Sequence, residues 1–440
     1  MEKAVDLSHL LATVFLSNFA SVVVIPGITD ITMSALCPGK DECSLAIYLS
    51  GFQQAIIGAG TILVMPLIGN LSDLYGRKAL LTLPMTISII PLVILAYSRS
   101  RSFYYAYYVT RTLTGMVSEG SVLCLSLAYV ADNISEGRRA SVFGIVTGVI
   151  CAAFVVATIA ARFLSTAQTF QVASVVSMVA VAYMRIFLKE SKPGADSVTQ
   201  PILKIGEESD ECDGESESTT KVEVFKKVPS LKDLVRLLKS SPTFSLAAFV
   251  AFFNSLAEGG LQSSSLYFFK ARFQYGKDQY ADLLLIMGIA GAISQLLFMP
   301  LLVPVLGEEK MLPIALFIIF SSLIVDSIAW SSWVPYVVAA FCIFTAFGTP
   351  SLRSIISKQV GPNEQGIAQG CISGISSFAN IISPFIFSPL TDLFLSERAP
   401  FYFPGFSIMC TGLAAFIAFI PSLMIRAVPS PSSNKVSSNV

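Results

Sequence analysis

Charge is what this sequence has least of. Only 13% of its 440 residues are Asp, Glu, Lys or Arg, about half the share found in soluble domains, and they cancel to zero. Without a basic excess, nothing points to nucleic acid as a partner. Histidine occurs once, as His9, at the start of an apolar run. No Ser-His-Asp, Cys-His or phosphate-loop pattern is present, which argues against an enzyme and against ATP-driven work. The eight cysteines fall mostly in apolar runs, and none has zinc-site spacing. Neither a metal nor a cofactor is expected. Only Cys37 and Cys43, on one polar loop, suggest a disulfide. Met1–Asp6 lacks the basic flank and small-residue cleavage site of a secretory signal, so the first apolar run is expected to remain.

Hydrophobicity fills the space that charge leaves. Apolar residues make up 54% of the chain, and mean hydropathy is +0.70. The runs are continuous, not alternating, which selects helices over a barrel. We expect an all-α membrane protein with about twelve transmembrane helices. They fall near His9–Thr29, Leu45–Ile68, Ala79–Tyr97, Phe103–Ala131, Ala140–Leu164 and Thr169–Leu188, then Thr243–Phe269, Tyr280–Leu306, Met311–Trp330, Trp333–Ser357, Gly366–Leu395 and Phe401–Ile425. The chain divides into a six-helix half (1–188), a polar linker (189–242), a second six-helix half (243–427) and a disordered Ser-rich tail (428–440). The linker has an acidic, Ser-rich centre that cannot bury a core. It turns basic from Lys226 to Lys239, suited to lying on the inner membrane surface. Lys and Arg concentrate on the loops that share a side with both termini, which are therefore expected in the cytoplasm.

A faint repeat relates the halves. Arg139–Gly148 aligns without gaps on Gln365–Gly374, so Gly144 and Gly370 are equivalent and 226 residues apart. Met65-Pro66-Leu67 is echoed by Met299-Pro300-Leu301. Two related six-helix halves suit a secondary transporter.

The stretch between the second and third spans reads Gly69-Asn70-Leu71-Ser72-Asp73-Leu74-Tyr75-Gly76-Arg77-Lys78. Its glycines permit close approach and unusual dihedrals, and Arg77 and Lys78 favour the cytoplasmic side. Asp73 can pair with a base or sit at a helix end where an anion is favoured. Written G-x-L-x-D-x-x-G-R-K, it resembles the signature loop of the major facilitator superfamily. Gly307-Glu308-Glu309-Lys310 is a degraded copy. After the fourth span, Ala128-Tyr129-Val130-Ala131-Asp132, with Arg138, Arg139 and Phe143-Gly144 beyond, resembles the matching loop of tetracycline/proton antiporters. With Gln365-Gly366 before the eleventh span, the chain is similar to the tetracycline-resistance-like branch that includes the hippocampus-abundant-transcript-like proteins. The resemblance implies the major facilitator fold, with Asp73 and Asp132 facing Arg77, Arg138 and Arg139 as a gating network.

Within the spans, ionisable groups cost about 2.5–3.5 kcal/mol each at mid-bilayer and usually face a partner or a cavity. Arg111, Gly115 and Glu119 share one face of the fourth span. Arg111 and Glu119 lie about 12 Å apart along a continuous helix, too far to pair unless the side chains reach toward each other. Arg111-x-x-x-Gly115 also resembles the family's fourth-helix motif, whose Arg is associated with proton coupling. Asn254, Glu258 and Gln262 repeat the spacing in the seventh span, and Gly259-Gly260 suggests a discontinuous, cavity-lining segment. Glu258 is the leading proton-carrier candidate, followed by Glu119 and Arg111. Asn18 and Asn380 are further cavity candidates, and Asp326 is read as structural. The expected protein is a monomeric, proton-coupled secondary transporter of a small organic solute in a lipid bilayer. Uniport or symport toward the cytosol, and a transport-dead receptor or scaffold with the same fold, are the alternatives.

Overall fold

The computed structural model describes residues 2–36, 44–190, 241–275, 277–361, 364–396 and 399–425, and regular secondary structure among them is entirely helical. Eleven segments are long and apolar enough to cross a membrane: α1 (Val5–Val23), α2 (Phe52–Tyr75), α3 (Arg77–Tyr97), α4 (Arg101–Asn133), α5 (Glu136–Phe163), α6 (Thr166–Phe187), α7 (Pro242–Ser265), α8 (Gln279–Leu306), α9 (Glu308–Ser327), α10 (Val334–Lys358) and α11 (Gln365–Leu395). The twelfth predicted span is the shorter α12 (Phe406–Ser422), about 26 Å long. Cys37 and Cys43, the linker apart from its ends, and the tail after 428 lie outside the described residues.

Buried clusters segregate by half. Leu10, Phe143 and Met184 share one core in the first half, and Val23, Leu95 and Phe170 share another. Phe244, Ile356 and Ile425 pack together in the second half. Ala140 is the exception, sitting with Met299, Val303 and Met311 across the seam.

The sequence repeat is a spatial one. A Cβ on Gly144 would strike Met299 and Gln295 of α8, and one on Gly370 would lie 2.6 Å from the Met65 carbonyl oxygen of α2. Thus α5 rests on the second Met-Pro pair and α11 on the first, crosswise, as twofold-related halves require. Gly76 (φ 96°, ψ 152°) and Gly307 (φ 78°, ψ 149°) hold the same backbone conformation before α3 and α9, one that is essentially closed to other residues. Even single bonds recur: Arg139 Nε donates to the Ile134 carbonyl at 3.2 Å, and Gln365 Nε2 to the Val360 carbonyl at 3.1 Å.

Several helices depart from the expected continuity. α4 breaks where Glu119 is extended and Gly120 left-handed, at φ 73°. α10 is three pieces, Val334–Ala340, Cys342–Thr345 and Gly348–Lys358, and α8 contains a π-turn over Ser294–Phe298. The expected break at Gly259-Gly260 is absent, because one helix runs from Pro242 to Phe273. The two glycines instead admit neighbours: a Cβ at 259 would meet Ser383 at 2.9 Å, and one at 260 would meet Phe387 at 2.7 Å.

Candidate functional site

At the signature-turn end of the bundle, Arg77 opens α3 and is 4% exposed. Its guanidinium pairs with Asp73, donates through Nε to Asp132 Oδ2 at 2.8 Å, and reaches Ser72. The Asp73 carboxylate in turn accepts the Gly366 and Ile367 backbone N–H groups, each at 3.0 Å. These are unsatisfied first-turn donors of α11, where the dipole favours an anion. Gly69 and Gly366 allow this approach, since a Cβ on either would collide with the carbonyl oxygen of the other. Arg139 supplies the converse contact, donating to the Ser357 carbonyl and hydroxyl oxygens at 3.3 Å each. Ser357 ends α10, where a cation is favoured. Both bridges cross between the halves.

Of the predicted gating residues, Gly69, Asp73, Gly76, Arg77, Asp132 and Arg139 are therefore brought together. Arg138 is exposed. Lys78 contributes its backbone, which donates to Glu190 Oε1 at 2.9 Å, and Ala79 N–H reaches Oε2 at 3.2 Å. Glu190 went unnoticed in the sequence because it is a lone acid at the head of a polar linker.

Midway along the spans lies a second polar group. Arg111 and Glu119 form a direct ion pair at 2.9 Å. This corrects the expectation of separation, which assumed an unbroken helix; the turn at Glu119-Gly120 lets the carboxylate fold back. Tyr107 also interacts with Arg111. In α7, the Asn254 amide donates to Glu258 Oε1 at 2.9 Å. Glu258, Gln262 and Asn380 are exposed, and the Asn380 side-chain oxygen sits beside Gly259. A carboxylate exposed to lipid at that depth would be costly. Asn18 is half-buried and donates to the Val14 carbonyl of its own helix, which leaves its amide serving α1. Asp326 is buried, and its Oδ1 has no partner among the described residues. A groove of about 650 Å³ between α9 and α10, lined by Phe317, Val325, Trp330, Trp333, Phe341 and Phe344, contains none of these residues.

Arg353 was also missed. It is 8% exposed in α10 and donates to Gln369 Oε1 at 3.1 Å and Ser373 Oγ at 3.3 Å. Read as sequence, Arg353-Ser354 passes for the polar end of a span.

Residues 10–384 match the Major Facilitator Superfamily. The human hippocampus abundant transcript-like protein 1 is 25% identical over 80% of this chain, and the match spans 66% of that protein's own length. Multidrug resistance protein 2 of Bacillus subtilis (strain 168) is 27% identical over 82% of this chain and 84% of its own. Among solved structures, the human organic anion transporter MFSD10 (TETRAN) superposes with a TM-score of 0.74 over 96% of this chain and 100% of its own, at 16% identity, a likeness of fold. The crosswise halves, the gripped signature turn and these matches lead to one conclusion: the chain belongs to the major facilitator superfamily and is an integral, multi-pass membrane protein.

Proposed function

We propose that the protein is a proton-coupled secondary transporter of a small organic solute, working by alternating access between halves 1–188 and 243–427. The observation that carries this reading is Glu258. Its carboxylate is exposed midway along a buried-sided helix, and its partner is the neutral Asn254 amide. No ion pair among the described residues includes it. Such a group can take a proton from water reaching it on one side and release it to water on the other. The Asp73 and Arg139 bridges hold the signature-turn end closed, and releasing them opens the other half of the cycle. Arg77, Lys78, Arg138, Arg139 and Lys358 share that end, which supports placing it, and both termini, in the cytoplasm. The printed name of the bacterial relative, a multidrug resistance protein, is in keeping with a small organic solute.

The test is flux in proteoliposomes under an imposed pH gradient. Glu258→Gln is expected to uncouple transport from the gradient while leaving solute exchange measurable. Glu119→Gln is expected to impair both, because Arg111 loses its anion within the solute space. Gradient-driven uptake by Glu258→Gln at the unmutated rate would remove Glu258 from the mechanism.

A further inference from the structure

Two seams join the halves, and they are sealed to different depths. Between α5 and α8 contact runs the length of the span. Ala140 packs with Met299 and Val303. Farther along, a Cβ on Gly291 would lie 3.3 Å from Cys151 Sγ, and one on Gly288 would lie 3.0 Å from Val155. Beyond them Arg162 pairs with Asp282 at 3.2 Å. Numbers rise along α5 as they fall along α8, so one unbroken antiparallel register ends in an ion pair.

Between α2 and α11 the seal stops partway. Gly366, Gly370, Gly374 and Ile381 recur at helical spacing on the face of α11 that meets α2. A Cβ on Gly370 would lie 2.6 Å from the Met65 carbonyl oxygen, one on Gly374 would lie 3.3 Å from that of Ile62, and one on Gly58 would strike Ile381. From Gln365 to Gly374 every residue but Ile367 is buried. The same spacing continues to Phe385 and Ser388, and both are exposed, Phe385 by 73%. Opposite them, Gln54 lies one turn outward of Gly58 on α2 and is exposed too. Glycines that let two backbones touch give way to side chains that stand free.

A plain tilt of one half on the other would part both seams alike at that end. Here one seam is tied and the other is open, so the opening is sideways. Phe385 stands about 30 Å along α11 from Gln365, which is about the thickness of the hydrocarbon core. The gap therefore lies where lipid tails meet headgroups, the level at which amphiphiles rest. Inward of it, Phe378 is exposed and packs on Phe252 of α7 at 6.0 Å. Asn380 precedes Ile381, and its side-chain oxygen sits beside Gly259, the neighbour of Glu258. That oxygen and the Glu258 carboxylate are acceptors, which suit a head that donates hydrogen bonds.

We propose that the gap between α2 and α11 is a lateral portal, through which an amphiphile with a hydrogen-bond-donating head passes between the membrane and the Glu258–Asn380 group. Its apolar body follows Phe385 and Phe378, while its head meets Asn380 and Glu258. The Arg162–Asp282 tie keeps the opposite side shut. This rests on the transporter reading above and names the class of its solute, one drawn from the bilayer.

The experiment uses the full chain in phosphatidylcholine nanodiscs, with genetically encoded benzoylphenylalanine at Phe385, Gln54 or Phe378. Val179, on an exposed side of α6, is the reference position. The probe is monooleoylglycerol, an apolar chain under two hydroxyl donors, and glycerol is the chainless competitor. Illumination is expected to give probe adducts at all three portal positions about tenfold above Val179, undiminished by glycerol. Yields level with Val179 mark ordinary lipid-facing surface and overturn the portal. Adducts at Phe385 and Gln54 but not at Phe378 mark a closed crevice and overturn it as well. Phosphatidylcholine captured at Phe378 in place of the probe makes the gap a lipid seat, and competition by glycerol shows that the chain plays no part; either overturns the solute class. Gln54→Arg with Ser388→Asp copies the Arg162–Asp282 tie and should abolish the Phe378 adduct, and its persistence overturns the route. Adducts form without a pH gradient, so they stand if Glu258→Gln fails to uncouple flux, and the two readings fail separately.

Discussion

At the signature-turn end, the two halves make the same ion pair with opposite signs. In the first half a base opens α3 and an acid closes α4, Arg77 with Asp132. In the second an acid opens α9 and a base closes α10, Glu308 with Lys358. Asp132 and Lys358 are 226 residues apart, as are Gly144 and Gly370. Attraction between the charges ties the two helices together whichever way they are arranged, but the helix dipoles are not indifferent. Glu308 sits at a helix start and Lys358 near a helix end, and the dipoles favour both. Arg77 and Asp132 are each at the disfavoured end. The first-half pair is held against that local preference by extra carboxylates, Asp73 on the guanidinium and Glu190 on the first N–H groups of α3. A local rule is thus broken and compensated in one repeat and obeyed in the other, and such exceptions are expected where a site has a function.

The largest expected effect comes from removing the compensated cation. Arg77→Met leaves Asp73 and Asp132 without it and should cost about 3–5 kcal/mol, as for other broken buried pairs. Lys358→Met should cost distinctly less, because Lys358 is partly exposed and Glu308 keeps the favour of a helix start. Unfolding in detergent measures both, and equal losses would break the comparison. Next is the pair of crossing glycines. Gly370→Ala meets the Met65 carbonyl oxygen, which cannot move cheaply, whereas Gly144→Ala meets the flexible Met299 side chain. Overpacking of about 1–3 kcal/mol is expected at Gly370, and the loss at Gly144 should be smaller.

Asp73→Asn tests the first-half network directly. It removes the anion from the start of α11, a contribution of about 0.3–2 kcal/mol. Turnover should fall with solute affinity little changed; lost affinity at unchanged turnover would show that the bridge does not gate. The smallest effect belongs to Arg162 and Asp282, paired at 3.2 Å across the seam between α5 and α8 and half-exposed. Arg162→Ala should shift stability by less than about 1 kcal/mol, and salt should erase the difference.

Much of the candidate site could be read from the chain. The signature turn announced Asp73 and Arg77 because short, charged turns between apolar runs stand out against lipid. Glu258 stood out for the same reason. Arg353 escaped because its partners are neutral groups on α11, a fact about neighbours that no spacing in α10 contains. Arg111 and Glu119 were visible individually, but their pairing depends on one left-handed glycine. Gly259-Gly260 misled in the opposite direction, since small residues serve close packing as readily as a break.

By itself, the sequence determined the all-helical membrane architecture and the twofold repeat, because both follow from continuous apolar runs and from residues a fixed distance apart. Only the tertiary structure decided which charges meet. Ion pairing acts over a few ångströms, and Asp73 finds α11 nearly three hundred residues away through two glycines that let the backbones touch.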